Sequence, residues 1–109
     1  MNQEQFLNTI YANLYTGMKV LIPSRRTDIL RIRESGDIVY RIADAYDKVL
    51  SRHELVMVYE HLEQGALNPP ALRQIVSPSR TCNVSTIKWI LSQFDLARET
   101  SDKAWVKSW

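Results

Sequence analysis

Between residues 51 and 65 the apolar positions fall at Leu55, Val58, Tyr59 and Leu62, three and four apart, so they share one face of a helix with Val56 on its flank. The stretch has both its ends marked. Ser51 stands three residues before Glu54, the spacing at which hydroxyl and carboxylate cap each other's backbone N–H. Leu50 and Leu55 are placed as a hydrophobic staple, and Gly65 supplies the positive φ that ends a helix. The rest of the chain arranges itself around this helix. Before it, Asn2 and Gln5 form a second capping-box pair. The helix they open carries Phe6, Leu7, Ile10, Tyr11 and Leu14 on one face, with Gly17 as its stop.

Period-two alternation replaces the helical period from Met18 onward. Met18 to Ile22 reads as a short strand closed by Pro23 and a polar corner, Ser24-Arg25-Arg26. Thr27 to Arg33 and Asp37 to Ile42 read as a hairpin around Glu34-Ser35-Gly36. A regular register pairs Arg33 with Asp37, Ile32 with Ile38 and Leu30 with Tyr40. It turns Leu30, Ile32, Ile38, Tyr40 and Ile42 inward, and Arg31, Arg33 and Arg41 outward beside Ile29 and Val39. Tyr46 to Leu50 offers one more strand. After Gly65, Asn68-Pro69-Pro70 starts a short helix with Leu72, Ile75 and Val76, which Pro78 ends. Asn83 is placed to cap a last helix whose inner face is Val84, Ile87, Ile90, Leu91 and Phe94. Residues 104–109 alternate like a strand, with Trp105, Lys107 and Trp109 on one side.

These elements predict an α+β fold in a single domain, 1–109: a small antiparallel sheet, the hairpin 27–42 plus one or two short strands, packed against about four helices. At 109 residues the chain is long enough for one modest core. Fourteen basic against twelve acidic residues leave a net charge of +2, so an electrostatic partner has to be argued from clustering and not from bulk charge. One cysteine, Cys82, excludes an internal disulfide framework and fits a reducing compartment. The first residues lack a secretory pattern and no apolar run approaches a bilayer span, so a cytoplasmic protein without membrane contact is expected.

Candidate chemistry is sparse. His53 and His61 are eight residues apart, roughly 80° around an ideal helix, and Met57 occupies the position a zinc helix needs for its second histidine. No metal site and no cofactor are expected. Cys82 near a helix start has the dipole that activates a thiol but no positioned base, so a small core-lining cysteine is the plainer reading. Asp44, Asp47, Glu60 and Glu63 show no spacing that pairs them as acid and base. The glycines, Gly17, Gly36 and Gly65, form no phosphate loop, and no catalytic residue is assigned. Asn83-Val84-Ser85 matches a glycosylation acceptor, but a helix cap accounts for it.

Two surfaces remain. Arg31, Arg33 and Arg41, extended by Arg25, Arg26 and Lys19, offer a basic sheet face, diluted by Asp28, Glu34 and Asp37. The half from Ser51 onward resembles a winged helix-turn-helix in the order of its elements. Ser85, Thr86, Lys88, Trp89, Ser92 and Gln93 stand on the outward side of the last helix, and Arg80 and Lys107 are placed near phosphates. A tryptophan on an outward helix face more often marks a protein contact. The leading expectation is therefore a non-catalytic binding or adaptor protein that forms a homodimer or docks a protein through Trp89, Trp105 and Trp109. The alternative is a nucleic-acid-binding protein using Arg31, Arg33, Arg41, Arg80, Lys88 and Lys107.

Overall fold

A computed structural model of the chain describes residues 1–22, 25–43 and 47–109, with 21, 22 and 25 described by backbone alone. The chain runs α1 (Gln3–Asn13), β1 (Lys19–Ile22), β2 (Arg25–Ile32), β3 (Ile38–Ile42), β4 (Asp47–Leu50), α2 (Arg52–Gln64), α3 (Pro69–Ile75), a 3-10 turn (Pro78–Arg80), α4 (Asn83–Gln93), β5 (Ala97–Glu99) and β6 (Trp105–Lys107). Strands β1 to β4 form an antiparallel sheet in sequence order, and β5 and β6 a separate hairpin. The fold is α+β as expected. The inner face of the large sheet (Val20, Ile29, Ile38, Tyr40, Leu50) and the apolar stripes of the helices share one core cluster.

Both capping boxes form. Asn2 and Gln5 exchange side-chain and backbone bonds, as do Ser51 and Glu54. Asn68 caps α3 through Ala71. Gly65 ends α2 at φ 140°. Helix α1, however, stops at Asn13 with Leu14 as its cap; Gly17, at φ 86°, instead turns the chain into β1, its N–H donating to the Ile29 carbonyl at 2.7 Å.

The hairpin starts in the expected register and then departs from it. Arg33 N–H donates to the Asp37 carbonyl, and Ile32 faces Ile38, but a β-bulge then makes Tyr40 the partner of Ile29 and not of Leu30. The reason lies in the alternation itself. Continuing the regular register past Leu30 puts Asp28 on the core face. The extra residue resets the parity, so Ile29 and Thr27 turn inward and Asp28 outward. Thr27 is buried by this change and its hydroxyl has no hydrogen-bond partner among the described residues. Asp28 gains a row of neighbours on the outer face. Lys19, Asp28, Arg41 and Asp47 are successive cross-strand partners with alternating sign. Lys19 meets Asp28 at 2.6 Å and Arg41 meets Asp47 at 2.8 Å.

Pro23, Ser24 and Tyr46, with the side chain of Arg25, lie outside what is described; the strand expected from Tyr46 to Leu50 is present over Asp47–Leu50. The tip of the hairpin is clamped. Gly36 sits at φ 92°, its carbonyl accepts from Tyr11 Oη at 2.8 Å, and the Asp37 carboxylate accepts from the Arg52 N–H at 2.9 Å. A Cβ on Gly36 would stand 2.7 Å from Tyr11 Oη and 3.0 Å from Arg52 Cδ. Gly36→Ala therefore combines an unfavourable φ with a clash, and a loss of about 1–2 kcal/mol is expected in urea unfolding. Gly17→Ala has the same φ problem with open space around it, and is expected to cost less.

Candidate functional site

The first turn of α4 is held by a buried polar cluster that joins four elements. Asn83 is 0% exposed. Its Nδ2 donates to Glu54 Oε2 and to the Val49 carbonyl, both at 2.9 Å. Its Oδ1 accepts from Tyr40 Oη at 2.5 Å, with Cys82 Sγ 3.4 Å from the same hydroxyl. Glu54, 5% exposed, is the returning residue of the α2 capping box, so its Oε1 takes the Ser51 N–H and hydroxyl. The Arg80 guanidinium approaches that oxygen at 3.5 Å. A carboxylate this far inside is tolerable because each oxygen has donors. The cluster corrects two expectations. Asn83 does not cap α4: it is the first helical residue, its side chain turned inward, and Cys82 occupies the cap position without a side-chain cap bond. Thr86, expected to face outward, is fully buried.

With Asn83, Thr86, Ile87, Ile90 and Leu91 turned in, α4 presents Ser85, Lys88 and Ser92 on the opposite side. These are three and four residues apart and form one strip, flanked by Gln93 and by the half-buried Trp89. Around this strip the C-terminal half has a definite topology. Leu67, between α2 and α3, bridges antiparallel to Trp105, with reciprocal backbone bonds of 2.8 Å. Since β6 also pairs with β5, three extended segments lie in the order Leu67, β6, β5. The β5–β6 hairpin exposes Arg98, Glu99, Ser101, Asp102 and Lys103. Strand β5 is only three residues long, and the sequence reading missed it because Ala97-Arg98-Glu99 has no apolar alternation.

The three indoles do not share one surface. Trp105 is 7% exposed and belongs to the core. Trp109 stacks on Tyr59 (centroids 6.0 Å apart, planes at 7°) and lies 5.9 Å from Phe6, with Lys107 Nζ 5.9 Å from its centroid. Trp89 is half-buried, set edge-on to Phe94 at 5.8 Å. The cations are divided too. Arg41 pairs with Asp47, Arg80 with Glu54 and Lys107 with Glu63, whereas Arg31, Arg33 and Lys88 form no ion pair among the described residues. Among the described residues no three His, Cys, Asp or Glu side chains gather as a metal site, and no helix is long and apolar enough to cross a membrane. No family model, curated protein or solved structure matches the chain.

Removing the Asn83 amide takes one hydrogen bond each from Tyr40 Oη, Glu54 Oε2 and the Val49 carbonyl, so Asn83→Ala is expected to cost roughly 2–3 kcal/mol. Tyr40→Phe is expected to cost about 1–2 kcal/mol, and the double variant less than the sum, as a double-mutant cycle by urea unfolding measures.

The Lys107 ammonium at 2.8 Å, and then the Tyr59 hydroxyl at 2.7 Å, hold the Glu63 carboxyl below its ordinary 4.5, and the Trp109 indole adds to this without reaching hydrogen-bond geometry. Lys19 likewise holds Asp28 below 3.8. Both pKa values are depressed in the folded state. Their stabilisation is therefore present above the unfolded values and is lost as pH falls through the folded ones. Glu63→Gln is expected to flatten the fall of Tm below about pH 4.5, with little effect on that slope at neutral pH.

Proposed function

We propose that the chain is a non-catalytic nucleic-acid-binding protein whose contact element is α4, set in a winged-helix-like C-terminal half. The single observation that supports this most is the bridge between Leu67 and Trp105. It turns the bare order of helix, helix, helix and hairpin into a connected unit: α2, a short extended segment, α3, α4, and a hairpin that pairs back onto that segment. In helix-turn-helix proteins the later helix of the pair lies in the major groove and leads with its N-terminal residues. Here those residues are Ser85, Lys88 and Trp89, with Ser92 and Gln93 further along the same side. Hydroxyl and amide groups can donate to and accept from base edges, and hydroxyl, amide and ammonium groups donate to phosphate oxygens.

The charge distribution favours some of the cations over others. Arg80 and Lys107 are drawn to Glu54 and Glu63, so Lys88, together with the exposed Arg98 and Lys103 of the hairpin, carries the phosphate contacts in this reading. Arg31 and Arg33 stand apart from α4, on a sheet face where Asp28 and Asp47 neutralise their neighbours. The link from Val76 to Cys82 is longer than the tight turn of a simple helix-turn-helix and contains its own 3-10 turn. Modest, salt-sensitive affinity fits a protein with so little excess positive charge.

Fluorescence anisotropy with a labelled duplex tests the reading. Binding is expected at about 50 mM salt and should weaken steeply toward 200 mM. Lys88→Ala should lower the slope of log K against log salt by about 0.9, the contribution of one phosphate contact. Absence of binding at about 50 mM salt overturns the proposal.

A second reading rests on the partial exposure of Trp89 beside Phe94: self-association, or docking of a protein partner, through Trp89 with Trp109 as a further contact. In that case sedimentation shows a dimer, or a complex with the partner, that Trp89→Ala dissociates. A monomer whose sedimentation the substitution leaves unchanged removes the self-association arm.

A further inference from the structure

Outside the polar cluster and the α4 strip, a groove of about 460 Å³ opens where the end of α3, the Pro78–Arg80 turn and the start of α4 meet, lined by Arg73, Val76, Pro78, Thr81 and Val84. Three of these side chains are fully apolar, and Thr81 adds a methyl group. The volume lies within the range of pockets that hold small organic molecules. Arg73 is the one charged lining residue among those described. It is exposed, and it forms no ion pair or side-chain hydrogen bond among the described residues. Arg41, Arg80 and Lys107 each have a carboxylate, whereas Arg73 shares with Arg31, Arg33 and Lys88 the lack of an ion pair among the described residues, and of these four it alone lines the groove.

We propose that this groove is a binding site for a small amphipathic monocarboxylate, its hydrocarbon body against Val76, Pro78 and Val84 and its carboxylate on the Arg73 guanidinium. The argument is complementarity of two kinds. The apolar walls give up contact with water when a hydrocarbon enters, which is favourable in proportion to area. A planar guanidinium at the rim matches a carboxylate with two parallel hydrogen bonds, a geometry that an alcohol or amide cannot reproduce. A dicarboxylate fits poorly, because the described walls offer a second negative charge no cation. The groove owes nothing to whether α4 contacts nucleic acid, so this inference stands or falls separately from the proposed function.

The probe is 4-phenylbutyrate, with 4-phenylbutanol as its uncharged counterpart, titrated into the full chain labelled with nitrogen-15. The expected result is saturable shifts centred on the amides of Val76, Thr81 and Val84. The dissociation constant should be on the order of 1 mM, the scale for a ligand of about a dozen heavy atoms. The alcohol should bind about five- to tenfold more weakly. Arg73→Gln, a change at an exposed position, should remove that preference while leaving the spectrum of the free protein otherwise unchanged. Thr81→Phe, also at an exposed position, should fill the groove and abolish both titrations. Shifts that fail to saturate, shifts centred elsewhere, or equal affinity for acid and alcohol in the parent protein each overturn the proposal.

Discussion

A primary amide buried between a sheet and two helices sets the arrangement of this molecule. Asn83 uses both Nδ2 hydrogens and its carbonyl oxygen, and its partners come from β3 (Tyr40), β4 (Val49) and α2 (Glu54). Removing such a group from water is costly unless every donor and acceptor is satisfied, and here each finds a partner. The requirement works in the other direction as well. Only one placement of α4 satisfies all three partners, so the helix is fixed along its axis and about it, where apolar packing alone would allow sliding. The side that faces away from Asn83 is thereby decided, and with it the strip of Ser85, Lys88 and Ser92.

Parity along β2 is the second constraint. Ile29 and Ile32 are three positions apart, an odd offset, yet both turn toward the core, which no uninterrupted strand allows. The bulge at Leu30 resolves this, and in doing so aligns Lys19, Asp28, Arg41 and Asp47 across four strands. What looked like an arginine face is in part a row of matched charges. A patch judged from one strand's cations can be cancelled by acids that the register brings alongside.

Local signals carried the helices well. The capping pairs Asn2–Gln5 and Ser51–Glu54, the Asn68 cap and the apolar stripes of α1 and α2 depend on spacing of four residues or fewer, and each formed as read, whereas the inner face of α4 kept Ile87, Ile90 and Leu91 but added Thr86. The hairpin turn was legible for the same reason. What could not be read were features decided by distant partners. Asn83 has the composition of a cap, and only the proximity of Tyr40 and Glu54, 43 and 29 residues away, draws its side chain inward. Trp105 looked like surface in an alternating tail, and only Leu67, far back in the chain, makes that tail the middle of a three-segment sheet. The groove beside Arg73 arises from the meeting of three elements and has no counterpart in any single stretch.

The bond from Asn83 to the Val49 carbonyl has one more effect, because β4 is an outer strand of the large sheet. An outer strand exposes unpaired carbonyl and amide groups that can recruit another chain and seed aggregation. One such acceptor is already occupied by a side chain from within the same molecule, and the strand is only four residues long, with Asp47 and Lys48 among them. The amide that orients α4 thus also blocks a point at which a foreign strand could add.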